Sequence, residues 1–196
     1  EIVTFGQNRT DAEILHNSVI KDTMRASDVT MKIVNMLYEV LASSEQHTSD
    51  FVERTIDVLQ EMIGWVDINL VVNEQFMPLL YAFVEHQNPV LREGALGCWK
   101  EIVLRGMDAT QKLQMLEQVR FLEVLQRVQI DDDTLLAVAD LCACTFEHVM
   151  GIAQMGGGWQ TGTPFAATVS GILELSLSLA LQCLAHENPE GGNGVI

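Results

Sequence analysis

Three groups of residues in this sequence are of the types that do chemistry. Cys142, Cys144 and His148 carry the thiol and imidazole groups that hold zinc, and Cys144 and His148 stand one helical turn apart. Only two of the three can share a helix face, and no fourth ligand is spaced to close a tetrahedron. Cys142 also falls on an apolar stripe described below, so core packing is the expected role and no metal is expected. The run Asp131 to Asp133 lacks the alternation and the glycine of a calcium loop and reads as a helix cap. Gly157 to Pro164, GGWQTGTP, has the glycine separation of a phosphate-binding loop, but Thr163 stands where the lysine must be and Pro164 where the magnesium-binding hydroxyl must be. No Ser-His-Asp constellation or pair of buried carboxylates can be built from the spacings. No catalytic residue, metal or cofactor is therefore expected, and the expected activity is the holding of macromolecular partners.

The elements that must position any such surface are helical. Apolar residues make up 48% of the sequence and charged ones 19%, which excludes a disordered tail and demands extensive burial. Val52, Ile56, Leu59 and Ile63 fall on one helical stripe. The same template recurs 39 residues on, at Leu91, Ala95, Cys98 and Ile102, and a further 44 on, at Leu135, Ala139, Cys142 and Phe146. Repetition at forty-odd residues marks stacked helical hairpins of the HEAT or armadillo kind. Asp50 with Glu53, Asn88 with Pro89, and Asp131 to Asp133 are placed to cap the template helices. Phe76 to Val84, Lys112 to Val128 and Ile172 to Leu184 supply second helices. Thr10 and Glu13 make a capping box for a helix to Arg25, partnered by Asp28 to Leu41.

The expected fold class is therefore an all-α, HEAT-like helical-hairpin solenoid (an α-α superhelix). Its hairpins are expected at 1–42, 43–87, 88–128 and 129–187, with a truncated fifth after the repeated turn His186-Glu187-Asn188-Pro189. The chain reads as a segment of something longer. The glycine-rich stretch Met155 to Pro164, with Trp159, reads as a mobile insertion on a repeat edge. Ala166 to Ala185 has the length of a membrane span, but Ser170, Glu174, Ser178 and Gln182 form a polar stripe, so a well-covered internal helix and no membrane insertion are expected. The four cysteines lie in apolar helical runs and are expected to be buried, reduced and intracellular.

Net charge is −16, unevenly spread: −2 over 1–42, −7 over 43–87, +1 over 88–128 and −8 from 129 to the last residue. Phosphate backbones need clustered cations, so the candidates for touching nucleic acid are Arg92, Lys100, Arg105, Lys112, Arg120 and Arg127 in the third hairpin, with Lys21 and Arg25 in the first. The alternative is that these are solvated partners of neighbouring glutamates. The acidic hairpins suit a basic protein surface.

Three stretches carry a family resemblance: IKDTMR (20–25), GWVDINLVVN (64–73) and LREGALGCWKEIVLRGMDATQKL (91–113). They resemble the tRNA exportins (exportin-T) of the importin-β superfamily over about the first two thirds of the chain. That resemblance implies a nuclear export receptor that binds tRNA cooperatively with GTP-bound Ran, passes nuclear pore proteins and shuttles between nucleus and cytoplasm. No individual tRNA or Ran contact is carried over from the family; the clustering of basic residues makes Lys21, Arg25, Arg92, Lys100, Arg105 and Lys112 the candidates for facing tRNA. Trp65 and Asp67 match the family's turn, where a structural role is expected. A HEAT-repeat import receptor for basic protein cargo and a HEAT scaffold subunit remain open as alternatives.

Overall fold

The structure, a computed structural model, describes residues 19–24, 27–156 and 165–187. The Thr10 capping box, Arg25 and the glycine-rich stretch after Gly156 lie outside the described residues. After a helical segment at 19–24 come α1 (Val29–Ala42), α2 (Ser49–Ile63), α3 (Phe76–Val84), α4 (Pro89–Leu104), α5 (Ala109–Gln118), α6 (Phe121–Arg127), α7 (Leu135–Gly156) and α8 (Ala166–Glu187). The described residues contain no strand. The chain is an all-α, HEAT-like solenoid. One layer stacks α1, α2, α4 and α7 in order; the other sets α3 against α6 and α6 against α8, with α4 packed on α3 and α7 on α8.

Local chemistry sets most helix boundaries. Asn88 accepts a hydrogen bond from the Val90 N–H with Pro89 in the first turn, so α4 starts where a missing N–H is harmless. Asp131 accepts from both the Thr134 N–H and its hydroxyl ahead of α7. Asp50 does not cap α2. That helix begins at Ser49, and Asp50 sits in its first turn, paired with exposed Arg54. The GWVDINLVVN turn is built by its own polar groups: Asp67 accepts from the Asn69 N–H, and Asn73 accepts from the N–H groups of Gln75 and Phe76 at the start of α3. Beyond it, the helix expected from Lys112 to Val128 is two helices. Arg120 takes a left-handed conformation, φ 46°, which breaks the α-helical path between α5 and α6.

The first two template stripes are buried: Val52, Ile56, Leu59 and Ile63 in α2, and Leu91, Ala95, Cys98 and Ile102 in α4, are each at most 2% exposed. In α7 the expectation needs correction. Leu135, Ala139 and Phe146 are half-buried, and the core stripe runs one residue over through Val138, Leu141, Thr145 and Val149. α4 is covered by α2 on one side and α7 on the other, whereas within its layer the only described helix packed beside α7 is α4. The expectation of a well-covered α8 is corrected for the same reason. Leu177, Leu181 and Leu184 are 52%, 58% and 59% exposed, with no described helix over that face. Leu135–Gln154 and Ala166–His186 are long and apolar enough to cross a membrane by length and composition, and they pack on each other. Trp99, fully buried, ties the two layers together, its ring 5.3 Å from Tyr81 of α3 and 5.8 Å from Phe121 of α6.

Close approach of α2 and α4 depends on two glycines. A Cβ on Gly94 would sit 2.5 Å from Ile56 Cγ2 in the core, and one on Gly97 would meet the flexible amide end of Gln60. Chemical denaturation should therefore find that Gly94→Ala costs ~1–3 kcal/mol as overpacking, and Gly97→Ala clearly less. Leu59→Ala, a core truncation, should cost ~2–5 kcal/mol.

Candidate nucleic-acid interface

The basic residues of the third hairpin were candidates for phosphate contact, and the structure gives each a definite place. A helix ends with four carbonyls that lack an intrahelical partner, and it carries partial negative charge there. Three of the cations answer that requirement. The Lys112 side chain is fully buried, and its ammonium donates to the carbonyls of Ile102, Val103 and Arg105 at the end of α4, the first at 3.3 Å. Arg105 reaches back to the end of α2 and donates to the Ile63 carbonyl at 2.8 Å and to that of Val66. Arg92 donates to the His86 and Gln87 carbonyls beyond α3, at 2.8 and 3.0 Å, and pairs with Asp131 ahead of α7 at 2.6 Å.

This arrangement changes what these residues can do. A fully buried ammonium with three carbonyl partners offers no surface to a phosphate, so the expectation that Lys112 faces nucleic acid is corrected. Arg92, 9% exposed, is committed to an interhelical pair and two carbonyls. Sequence reading missed this because the partners are backbone atoms, some forty residues away for Arg105, and backbone acceptors leave no mark in a sequence.

The remaining candidates lie nearer the surface. Lys100 is held by Asp140 of α7 at 3.2 Å, with 23% of its side chain exposed. The Lys21 ammonium lies 5.6 Å from the Trp65 ring centre and lines a small cleft with Glu61 and Glu101. Burial raises the Glu101 carboxyl above its ordinary range, Lys100 opposes that shift, and Glu61 adds to it. Arg120 and Arg127 flank α6, in exposed pairs with Glu123 at 3.6 Å and Glu85 at 3.1 Å. Among the described residues the cations are thus dispersed among carboxylates and do not form one patch.

Of the candidate metal ligands, burial pushes the Cys142 thiol up to about 12, with Cys183 nearby adding to the shift. Burial also raises half-buried Cys144, while burial and Lys112 lower His148. Among the described residues no three His, Cys, Asp or Glu side chains gather as a metal site would require.

A family model described as Exportin 1-like protein matches residues 1–99. The chain belongs to the exportin family. It is 35% identical over 132 residues to exportin-T of Dictyostelium discoideum, covering 67% of this chain and 12% of that protein. It is 27% identical over 194 residues to mouse exportin-T, covering 95% and 20%, and 26% identical over 202 residues to the human protein, covering 100% and 20%. The chain thus spans a fifth or less of the length of these relatives. The long exportin-like stretch at 91–113 contains Arg92, Arg105 and Lys112, the three residues that hold carbonyls.

Two substitutions test the capping cations. Lys112→Met keeps the volume and orphans three buried carbonyls, and should cost about 3 kcal/mol. Burial and the neighbouring Arg105 depress the Lys112 pKa to about 8, from an ordinary 10.5. Between those values the folded chain has shed a proton that the unfolded chain keeps, so stability from this group rises with pH across that window. The stability gap between the parent and Lys112→Met should therefore widen from pH 8 to 10.5. Asp131 has the same sign in a lower pH window. Burial pushes its carboxyl up, but hydrogen bonds from Thr134 and the Arg92 charge outweigh this and leave it below the ordinary range. The gap between the parent and Asp131→Asn should be present at neutral pH and close as pH falls below the carboxylate range.

Proposed function

We propose that this chain is a segment of a nuclear export receptor that binds tRNA cooperatively with GTP-bound Ran and carries it past nuclear pore proteins, shuttling between nucleus and cytoplasm. The observation that carries the reading is its similarity to exportin-T across the whole chain, joined to the family match over residues 1–99. In this reading the cations divide their labour. Arg92 and Arg105 serve by fixing how one hairpin sits on the next, since a solenoid's curvature is the sum of such small rotations, and Lys112 fixes the two layers of its own hairpin. Lys21 and Lys100 supply phosphate contacts, because their ammonium groups cap no carbonyl among the described residues, and Arg25, outside the described residues, is assigned with them on charge alone. The hairpin divisions 1–42, 43–87, 88–128 and 129–187 are the units so joined.

The test uses the full-length protein. Neutralising two phosphate contacts by Lys21→Gln with Lys100→Gln should weaken Ran-GTP-dependent tRNA binding roughly tenfold, alike for tRNAs of different sequence, and should flatten the logarithmic salt slope by about 2. Unchanged binding would remove these two residues from the interface. A parent protein whose tRNA affinity does not respond to Ran-GTP would sink the export-receptor reading. The acidic hairpins favour one other reading, an import receptor for basic cargo, which would bind a lysine-rich peptide and release it when Ran-GTP is added.

A further inference from the structure

The small cleft in which Lys21 lies is built where α2 ends. It holds about 230 Å³ between Gln60, Glu61 and Gly64, the Trp65 ring and Glu101 of α4. Glu101 reaches across from α4 to the last turn of α2, its Oε2 standing 3.6 Å from where a Cβ on Gly64 would be. The end of a helix carries partial negative charge, and here two carboxylates stand beside it. The side chains of Glu61 and Glu101 make no hydrogen bond or ion pair among the described residues.

One cation is already seated there. The Lys21 ammonium, brought in by the helical segment at 19–24, lies 5.6 Å from the Trp65 ring centre, on an aromatic face that attracts positive charge. It stands on the ring and pairs with neither carboxylate, so one ammonium faces two negative groups. Glu101 is half-buried, and the rise that burial gives its carboxyl marks a charge short of partners.

The cleft is part of a wider acidic band. Asp57 stands exposed one turn before Glu61 on α2, and Asp140 and Glu147 stand exposed two turns apart on α7. Burial raises the Cys98 thiol, and Glu101 and Asp57 lie near enough to add to that rise. Burial likewise raises Cys144; Lys100 opposes the shift, and Asp140, Glu147 and Glu101 add to it. The carboxylates therefore run across α2, α4 and α7. Within the band Lys100 is held by Asp140, which leaves Asp57, Glu61, Glu101 and Glu147 without an ion pair among the described residues. Packed helices lie ~8–10 Å apart, so the band is ~16–20 Å across, the span of about six extended residues.

Charge decides the class of occupant. An excess of carboxylates repels a phosphate chain. Among the described residues no three His, Cys, Asp or Glu side chains gather closely enough to hold a metal ion. Carboxylates spaced over three helices, with an aromatic face at one end, instead match several cationic side chains carried at intervals on one polypeptide.

We propose that this band binds an extended arginine- or lysine-rich segment of a partner protein, one basic side chain entering the cleft beside Trp65 between Glu61 and Glu101. The proposal depends on neither the export nor the import reading. It uses the carboxylates, whereas the tRNA reading uses the lysines, and its failure leaves that reading as it stands. The test takes the full-length protein, without Ran or tRNA, and a fluorescein-labelled octapeptide of alternating arginine and glycine, with affinity read by fluorescence anisotropy. Glu61→Gln with Glu101→Gln should weaken binding about tenfold, and Lys21→Gln, which removes the competing ammonium, should strengthen it. Glu39→Gln with Glu45→Gln makes the same change in net charge toward the other end of α2 and should leave affinity unchanged. Thermal melts should confirm that all variants fold. Absence of peptide binding, or equal weakening by the two double variants, would overturn the proposal, the second by showing diffuse attraction to an acidic protein. So would weaker binding in Lys21→Gln, or octauridylate binding that Lys21→Gln abolishes while no peptide binds.

Discussion

Helices that end inside a stack leave carbonyls that water reaches poorly, and this solenoid satisfies them with buried or half-buried cations from a later element. Arg105 closes the end of α2, Lys112 the end of α4, and Arg92 the turn after α3 while also gripping Asp131 at the start of α7. An unmade hydrogen bond in the interior costs about 1–3 kcal/mol, whereas an exposed ion pair contributes ~0–1. By that comparison these three side chains outweigh the surface pairs, and Arg92 and Arg105 act across hairpin boundaries while Lys112 closes its own hairpin. The close approach they lock in is permitted by Gly94 and Gly97, which let α2 lie directly on α4.

The same constraint shapes the charge pattern. The third hairpin is the one with a positive sum because it carries the capping cations of its neighbours as well as its own. In a solenoid, the rotation between successive hairpins sets the curvature of the whole array. The stretch from 91 to 113 that resembles the tRNA exportins is, in this chain, the stretch that carries the three carbonyl-capping cations.

Much of the fold was legible in the sequence because helical periodicity reports burial directly. The stripes of α2 and α4, the Asn88-Pro89 cap and the span Phe76–Val84 could all be read from residue types. What was not legible depended on backbone geometry or on coverage. Nothing in the composition of Val119-Arg120-Phe121 announces a left-handed break, since arginine is no turn former. The rotation of the α7 stripe follows from which neighbours stack on α7, a property of the assembly and not of the segment. The site was the least legible part. A lysine on an apolar helix face looks the same in sequence whether its ammonium snorkels to water or turns onto carbonyls, and Lys112 does the second.

Because phosphate contact and carbonyl capping make opposite demands on the same residues, the stability of two neutralised variants separates them. Urea denaturation of Arg105→Met and Lys100→Met, each against the parent, is the direct measurement. If carbonyl capping joins hairpin to hairpin, Arg105→Met should lose ~2–3 kcal/mol, and Lys100→Met, which breaks only its pair with Asp140, should change by no more than about 1. Equal small losses from both would mean that Arg105 is a solvated surface charge and that the hairpins are held by apolar packing alone.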